Sequence, residues 1–124
     1  MGLHFASGSN GSVVRGLALS NFGRGQLSAV QSSNHIFAGN YIGLRPDGLG
    51  GSNFARGGGN VGIRLYYAQN VIIGGTTPTD RNVISGVNND GVQMEDGAAY
   101  NHVIGNYIGL HPNGVDRRQC QRPN

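Results

Sequence analysis

A ten-residue phrase occurs twice in this chain, and nothing else in the sequence narrows the possible folds so far. Gly39-Asn40-Tyr41-Ile42-Gly43-Leu44-Arg45-Pro46-Asp47-Gly48 returns 66 residues later as Gly105-Asn106-Tyr107-Ile108-Gly109-Leu110-His111-Pro112-Asn113-Gly114, with eight of the ten positions identical. Self-similarity at a fixed spacing marks a repeat architecture, in which each unit is too small to bury its own apolar face and stacks on the next.

A finer repeat runs beneath the phrase. Asn34-His35-Ile36-Phe37, Asn70-Val71-Ile72-Ile73 and Asn101-His102-Val103-Ile104 share one pattern, and Gly11-Ser12-Val13-Val14 matches it 23 residues before Asn34. A second series comprises Leu17-Ala18-Leu19, Asn40-Tyr41-Ile42, Asn82-Val83-Ile84 and Asn106-Tyr107-Ile108. The third comprises Leu3-His4-Phe5, Leu27-Ser28-Ala29, Ile63-Arg64-Leu65 and Val92-Gln93-Met94. The series follow one another in the same cyclic order, which predicts four units of three short strands, at 3–25, 26–61, 62–90 and 91–114.

Strands this short hold only when each hydrogen-bonds to its equivalents at about 4.8 Å above and below. The expected fold is therefore all-β, a right-handed parallel β-helix of about four coils over residues 1–114, followed by an irregular Arg-rich tail at 115–124. Asn suits the corners because it tolerates left-handed backbone geometry and its amide can pair with an equivalent one coil away. Two ladders are predicted, Asn34/Asn70/Asn101 and Asn40/Asn82/Asn106. Helices are excluded: no window keeps the i, i+3, i+4 apolar spacing beyond two turns, and the chain holds 23 Gly.

The Gly39-Asn40-Tyr41-Ile42-Gly43 phrase with its Pro46-Asp47-Gly48 turn resembles the parallel β-helix repeats of bacterial secreted and surface proteins. So does Gly74-Gly75-Thr76-Thr77 running into Arg81-Asn82-Val83-Ile84-Ser85-Gly86. The resemblance covers residues 3 to about 114 and is to a repeat type within the pectin-lyase-like superfold, mostly of uncharacterised members. It implies an extracellular or surface location, although residues 1–20 lack the basic-then-apolar layout of a signal peptide. A shared fold carries no function with it.

Composition excludes several classes of function. The net charge of +3 is all arginine, and three of the nine Arg lie in the last eight residues, so the body carries no basic patch for nucleic acid. No run approaches the roughly 20 apolar residues of a membrane-spanning helix. Cys120 is single, His35 and His102 are interrupted by Val71, and no metal or cofactor site is expected. The six acids (Asp47, Asp80, Asp90, Glu95, Asp96, Asp116) do not line up as a hydrolase or lyase constellation.

Two functional expectations from different classes remain. Counting alternation from the ladder Asn places Phe37, Ile73, Ile104, Tyr41, Val83 and Tyr107 outward as an exposed apolar stripe. With the unpaired strand edges at either end, that favours a non-enzymatic module that forms homo-oligomers. The alternative is a protein that binds or cleaves an acidic polysaccharide, with Arg45, Asp47 and His111 as contacts beside the Gly-rich insertion at 44–60.

Overall fold

The computed structural model describes residues 2–49, 61–87 and 89–109. His111, Cys120, Asp116 and the 115–124 tail lie outside the described residues, as does most of the 44–60 insertion.

Among the described residues, short segments rich in valine, isoleucine, leucine and tyrosine and punctuated by Gly and Asn form twelve strands of two to six residues. The first unit holds β1 (Leu3–Phe5), β2 (Val13–Arg15) and β3 (Ala18–Leu19), and the second β4 (Gly25–Val30), β5 (Ile36–Ala38) and β6 (Tyr41–Ile42). The third holds β7 (Val61–Tyr66), β8 (Ile72–Gly74) and β9 (Val83–Ile84), and the fourth β10 (Val92–Met94), β11 (His102–Ile104) and β12 (Tyr107–Ile108). Among the described residues the one helical piece is a 3-10 turn at Pro78–Asp80, inside the insertion that precedes β9.

Each unit contributes one strand to each of three parallel, four-stranded sheets. Sheet A runs β1-β4-β7-β10, sheet B β2-β5-β8-β11 and sheet C β3-β6-β9-β12. The chain visits A, B and C in turn, so strands pair only with strands of adjacent units, never with the strand next in sequence. Four apolar columns run through the stack: Leu3-Leu27-Ile63-Val92, Phe5-Ala29-Leu65-Met94, Val14-Phe37-Ile73-Val103 and Leu19-Ile42-Ile84-Ile108. Leu27, Ala29, Phe37, Ile42, Ile63, Leu65, Ile73 and Ile84, the members from the two middle units, are wholly buried.

The sheets meet at sharp corners built on left-handed backbone. Gly11, Asn34, Asn70 and Tyr100 occupy one corner in successive units, with φ of 81, 65, 56 and 57°. At another, a Cβ on Gly43 would collide with the carbonyl oxygen of Ser85 in the next unit, so this residue of the repeated phrase has no substitute.

Asn40, Asn82 and Asn106 form a continuous amide ladder beside sheet C. Asn82 Oδ1 accepts from Asn40 N (3.0 Å) and Asn40 Nδ2 (3.1 Å), and Asn106 Oδ1 accepts from Asn82 N (3.1 Å) and Asn82 Nδ2 (3.0 Å). The same amides donate to the carbonyls of Val14, Phe37 and Ile73, closing the bend between sheets B and C. Asn40 and Asn82 are fully buried, which their hydrogen bonding makes tolerable.

The other expected column is corrected. Asn34 and Asn70 are exposed corner residues, whereas Asn101 points inward one position later, where it accepts from Val71 N (2.8 Å) and donates to Ala68 O (3.0 Å). His102 pairs with Ile72, which pairs with Ile36, so Asn101 is equivalent to Val71 and His35. The cause is spacing: Asn101 lies five residues before Asn106, as His35 does before Asn40, whereas Asn34 lies six before Asn40.

The outward stripe is corrected too. Phe37 and Ile73 are fully buried and Val83 is 4% exposed, while Tyr41 and Tyr107 are half-buried. Ile104 is exposed, but pairs with Gly74 rather than Ile73. A one-residue shift in phase exchanges the faces of a strand, and the outward row of sheet B is Val13-Ile36-Ile72-His102.

Truncating a buried ladder amide strands several partners at once. Asn82→Ala is expected to lower stability by about 3 kcal/mol, roughly 10 °C in Tm. Asn70→Gly, at an exposed left-handed corner, should stay within about 0.5 kcal/mol of the parent. Thermal and urea melts check both, and equal losses would deny the ladder its special place.

Candidate functional site

Side chains on the outer face of sheet A alternate with the core columns. His4, Ser28, Arg64 and Gln93 share one outward row, brought together solely by stacking. His4 Nδ1 lies 2.6 Å from Ser28 Oγ, a contact between residues 24 apart in sequence. A serine–histidine pair suggests an activated nucleophile, but Ser28 has no exposed surface, so its hydroxyl cannot meet a substrate. Further along the row the Arg64 guanidinium grips Glu95 through two contacts, Nε to Oε1 at 2.7 Å and Nη2 to Oε2 at 3.2 Å. It also lies 5.5 Å from the ring centre of Tyr66, which meets Tyr67 edge-on at 4.7 Å and 84°. Hydrogen bonding to Arg64 holds the Glu95 carboxyl below its ordinary pKa.

The residues expected to bind an acidic glycan are placed differently. Arg45 and Asp47 pair with each other at 3.1 Å on an exposed turn, and Asp47 Oδ1 also accepts the Leu49 amide at 3.0 Å. That amide, followed by the nearby Arg45, lowers the Asp47 pKa. An open depression of about 210 Å³ lies alongside, lined by Gly16, Leu17, Ala18, Gly39, Tyr41 and Pro46. The third expected contact, His111, falls outside the described residues.

The remaining acids are dispersed. Asp80 pairs with Arg15 at 3.0 Å and accepts from Thr77 Oγ1 at 3.0 Å, and Asp90 accepts from Gln93 Nε2 at 3.3 Å. Asp47, Asp80 and Glu95 thus each answer a different arginine. Among the described residues no three of His, Cys, Asp and Glu come together as a metal site. Arg81 sits 4.1 Å from the Tyr107 ring centre and donates to Gly105 O, covering one of the tyrosines expected to be bare.

The apolar columns surface at one end of the stack. Met94 is 44%, Val103 40% and Ile108 45% exposed, although each continues a column whose middle members are wholly buried. At the opposite end Val14 is 4% exposed and Leu3, Phe5 and Leu19 are half-buried. Among the described residues β10, β11 and β12 are each the last strand of their sheet.

Sequence reasoning did not single out His35 as a buried group. It has no exposed surface, stacks on Phe37 (5.6 Å, 10°) and lies tilted against Phe5 (4.9 Å, 33°), whose ring is itself 5.7 Å from Phe37. Its Nδ1 accepts the Ser12 amide at 3.1 Å, which leaves the ring proton on Nε2 to be donated to Ser32 Oγ at 2.7 Å. Comparison of the chain with protein-family models, with curated proteins and with solved structures finds no match.

Burial pushes the His35 pKa below the usual histidine value. A pKa lower in the folded than in the unfolded state means that its contribution is complete above about pH 6.5. It is lost as pH falls from there towards the folded pKa. Tm should therefore drop between about pH 7.5 and about pH 5.5, and His35→Asn, which copies the residue at the equivalent Asn101 position, should drop less. Parallel melting profiles for the two proteins would assign the pH dependence elsewhere.

Proposed function

We propose that the chain is a right-handed parallel β-helix and acts as a structural interaction module, joining copies of itself end to end. The three-sheet parallel topology supports the β-helix, and the strong right-handed preference of parallel crossovers supports its hand. The observation that carries the function is the emergence of three core columns at Met94, Val103 and Ile108, each on the strand that ends its sheet among the described residues. Open strand edges over an apolar interior are a template for further pairing.

The partner face that fits is the opposite end of a second copy. Its β1, β2 and β3 carry Leu3, Phe5, Val14 and Leu19 in the same columns that Val92, Met94, Val103 and Ile108 end. Head-to-tail contact preserves the parallel pairing already made between each unit and the next, whereas joining two like ends would reverse the strands. Such a contact is heterologous and does not close, so it builds linear assemblies.

Binding of an acidic polysaccharide at Arg45 is the second reading, supported by the depression beside it. It is the weaker one, because Arg45 is already answered by Asp47.

The test combines two blocked chains. Val103→Asp with Ile108→Asp blocks one end, and a folded domain fused ahead of Met1 blocks the other. The parent should show a mass that rises with concentration, each blocked chain should be monomeric, the Val103→Asp/Ile108→Asp chain should keep the parent's circular dichroism spectrum, and the mixture of the two should give a 1:1 complex. A parent that stays monomeric at about 1 mM, a weak-binding limit of roughly 4 kcal/mol, overturns self-association. Self-pairing of the fused chain overturns the head-to-tail polarity.

A further inference from the structure

Tyr67 adopts a conformation that tyrosine disfavours. Its φ of 49° lies in the left-handed region, at a corner shared with Gln31 (53°) and Gly97 (72°). For a bulky residue this costs roughly 1 kcal/mol or more, and Asn or Gly would avoid most of it. Core packing does not repay that strain, since Tyr67 is 48% exposed.

The surroundings nevertheless hold the ring in place. One part of it lies against Gly97 of the next unit, where any Cβ would collide with the ring. Tyr66 supports it edge-on from the side. Tyr66 is in turn backed by Arg64, and the two-point contact with Glu95 keeps the guanidinium and carboxylate planes in register. The Arg64 and Glu95 side chains are 34% and 32% exposed, so their polar edges reach solvent beside the rings. Glu95 follows β10 directly, and Gln93 stands beside Arg64 in the outward row.

We infer that Arg64, Tyr66, Tyr67, Gln93 and Glu95 form a binding site for the pyranose rings of a neutral glycan. A pyranose has an apolar face of C–H groups and a rim of hydroxyls. The fixed Tyr67 ring supplies a flat apolar platform, and its rigidity limits the entropy lost on binding. Arg64 and Gln93 offer donors, and Glu95 and Gln93 offer acceptors, in planar groups suited to paired hydroxyls. The ligand is neutral because the Arg64 charge is already matched by Glu95, leaving no excess to attract a uronate or phosphate. The site lies on the outer face of sheet A, so this inference stands independently of end-to-end association.

The experiment follows the tyrosine ring resonances of the chain by NMR during titration. The ligands are neutral hexasaccharides of β-linked glucose, α-linked glucose and β-linked mannose, with an oligogalacturonate as the charged control. At least one neutral ligand should saturate with a Kd in the low millimolar range, on the order expected for one stacked ring and a few hydrogen bonds. Tyr67→Asn should weaken it about tenfold while keeping or raising Tm, because asparagine accepts the left-handed corner. Tyr67→Phe should stay within roughly threefold of the parent, as the platform is retained. Tyr100→Asn, which alters another exposed left-handed tyrosine outside the site, should leave binding unchanged. The inference is overturned if no neutral hexasaccharide shifts the rings, if Tyr67→Asn binds like the parent, or if the oligogalacturonate binds at least as tightly.

Discussion

Everything in this structure depends on hydrogen bonding between successive units. Ten of the twelve strands among the described residues have only two or three residues and no stability of their own, and none of the twelve pairs with its sequence neighbour. Each strand is defined by the one about a unit earlier and the one about a unit later, so cooperativity runs along the stack. The middle units gain partners on both sides and hold the fully buried core. Among the described residues the first and fourth units have a neighbour on one side each, and Met94, Val103 and Ile108 of the fourth reach solvent.

The corners impose the second constraint. To turn between sheets within a few residues the chain uses left-handed backbone, and the bend leaves carbonyls that no strand can satisfy. The Asn40–Asn82–Asn106 ladder answers this by donating to Val14, Phe37 and Ile73 while bonding along the stack. Elsewhere the same interior position is filled by His35, Val71 and Asn101 in successive units. The histidine accepts the Ser12 amide and the asparagine accepts the Val71 amide, so two chemically different side chains perform one task. Tyr67 and Tyr100 both stand exposed at such left-handed corners, and Tyr67 is braced there by Tyr66 and Gly97.

The surface is organised by rows rather than by neighbours in sequence. His4 and Ser28, Arg64 and Glu95, and Arg15 and Asp80 meet at sequence separations of 24, 31 and 65. By contrast Arg45 and Asp47, two residues apart, pair locally and close their own turn. This explains why the polar cluster visible in the sequence is mainly turn chemistry, and why the denser cluster at Arg64 was not visible there. Nothing in a linear pattern distinguishes the outer face of one sheet from that of the next.

The sequence by itself determined the repeat, the cyclic order of the three strand series and the all-β parallel architecture, because periodic Gly, Asn and aliphatic residues state them directly. It also held the clue to the fourth unit. Five positions separate Asn101 from Asn106, as they do His35 from Asn40, whereas Asn34 lies six from Asn40. Only the tertiary structure decided which face of each strand is inside. Two or three residues contain too little alternation to set a phase, and that phase comes from where the left-handed corners fall in the stack. Phe37 and Ile73 are core for that reason, and so Tyr66 and Tyr67 came to stand beside Arg64 and Glu95 on the outside.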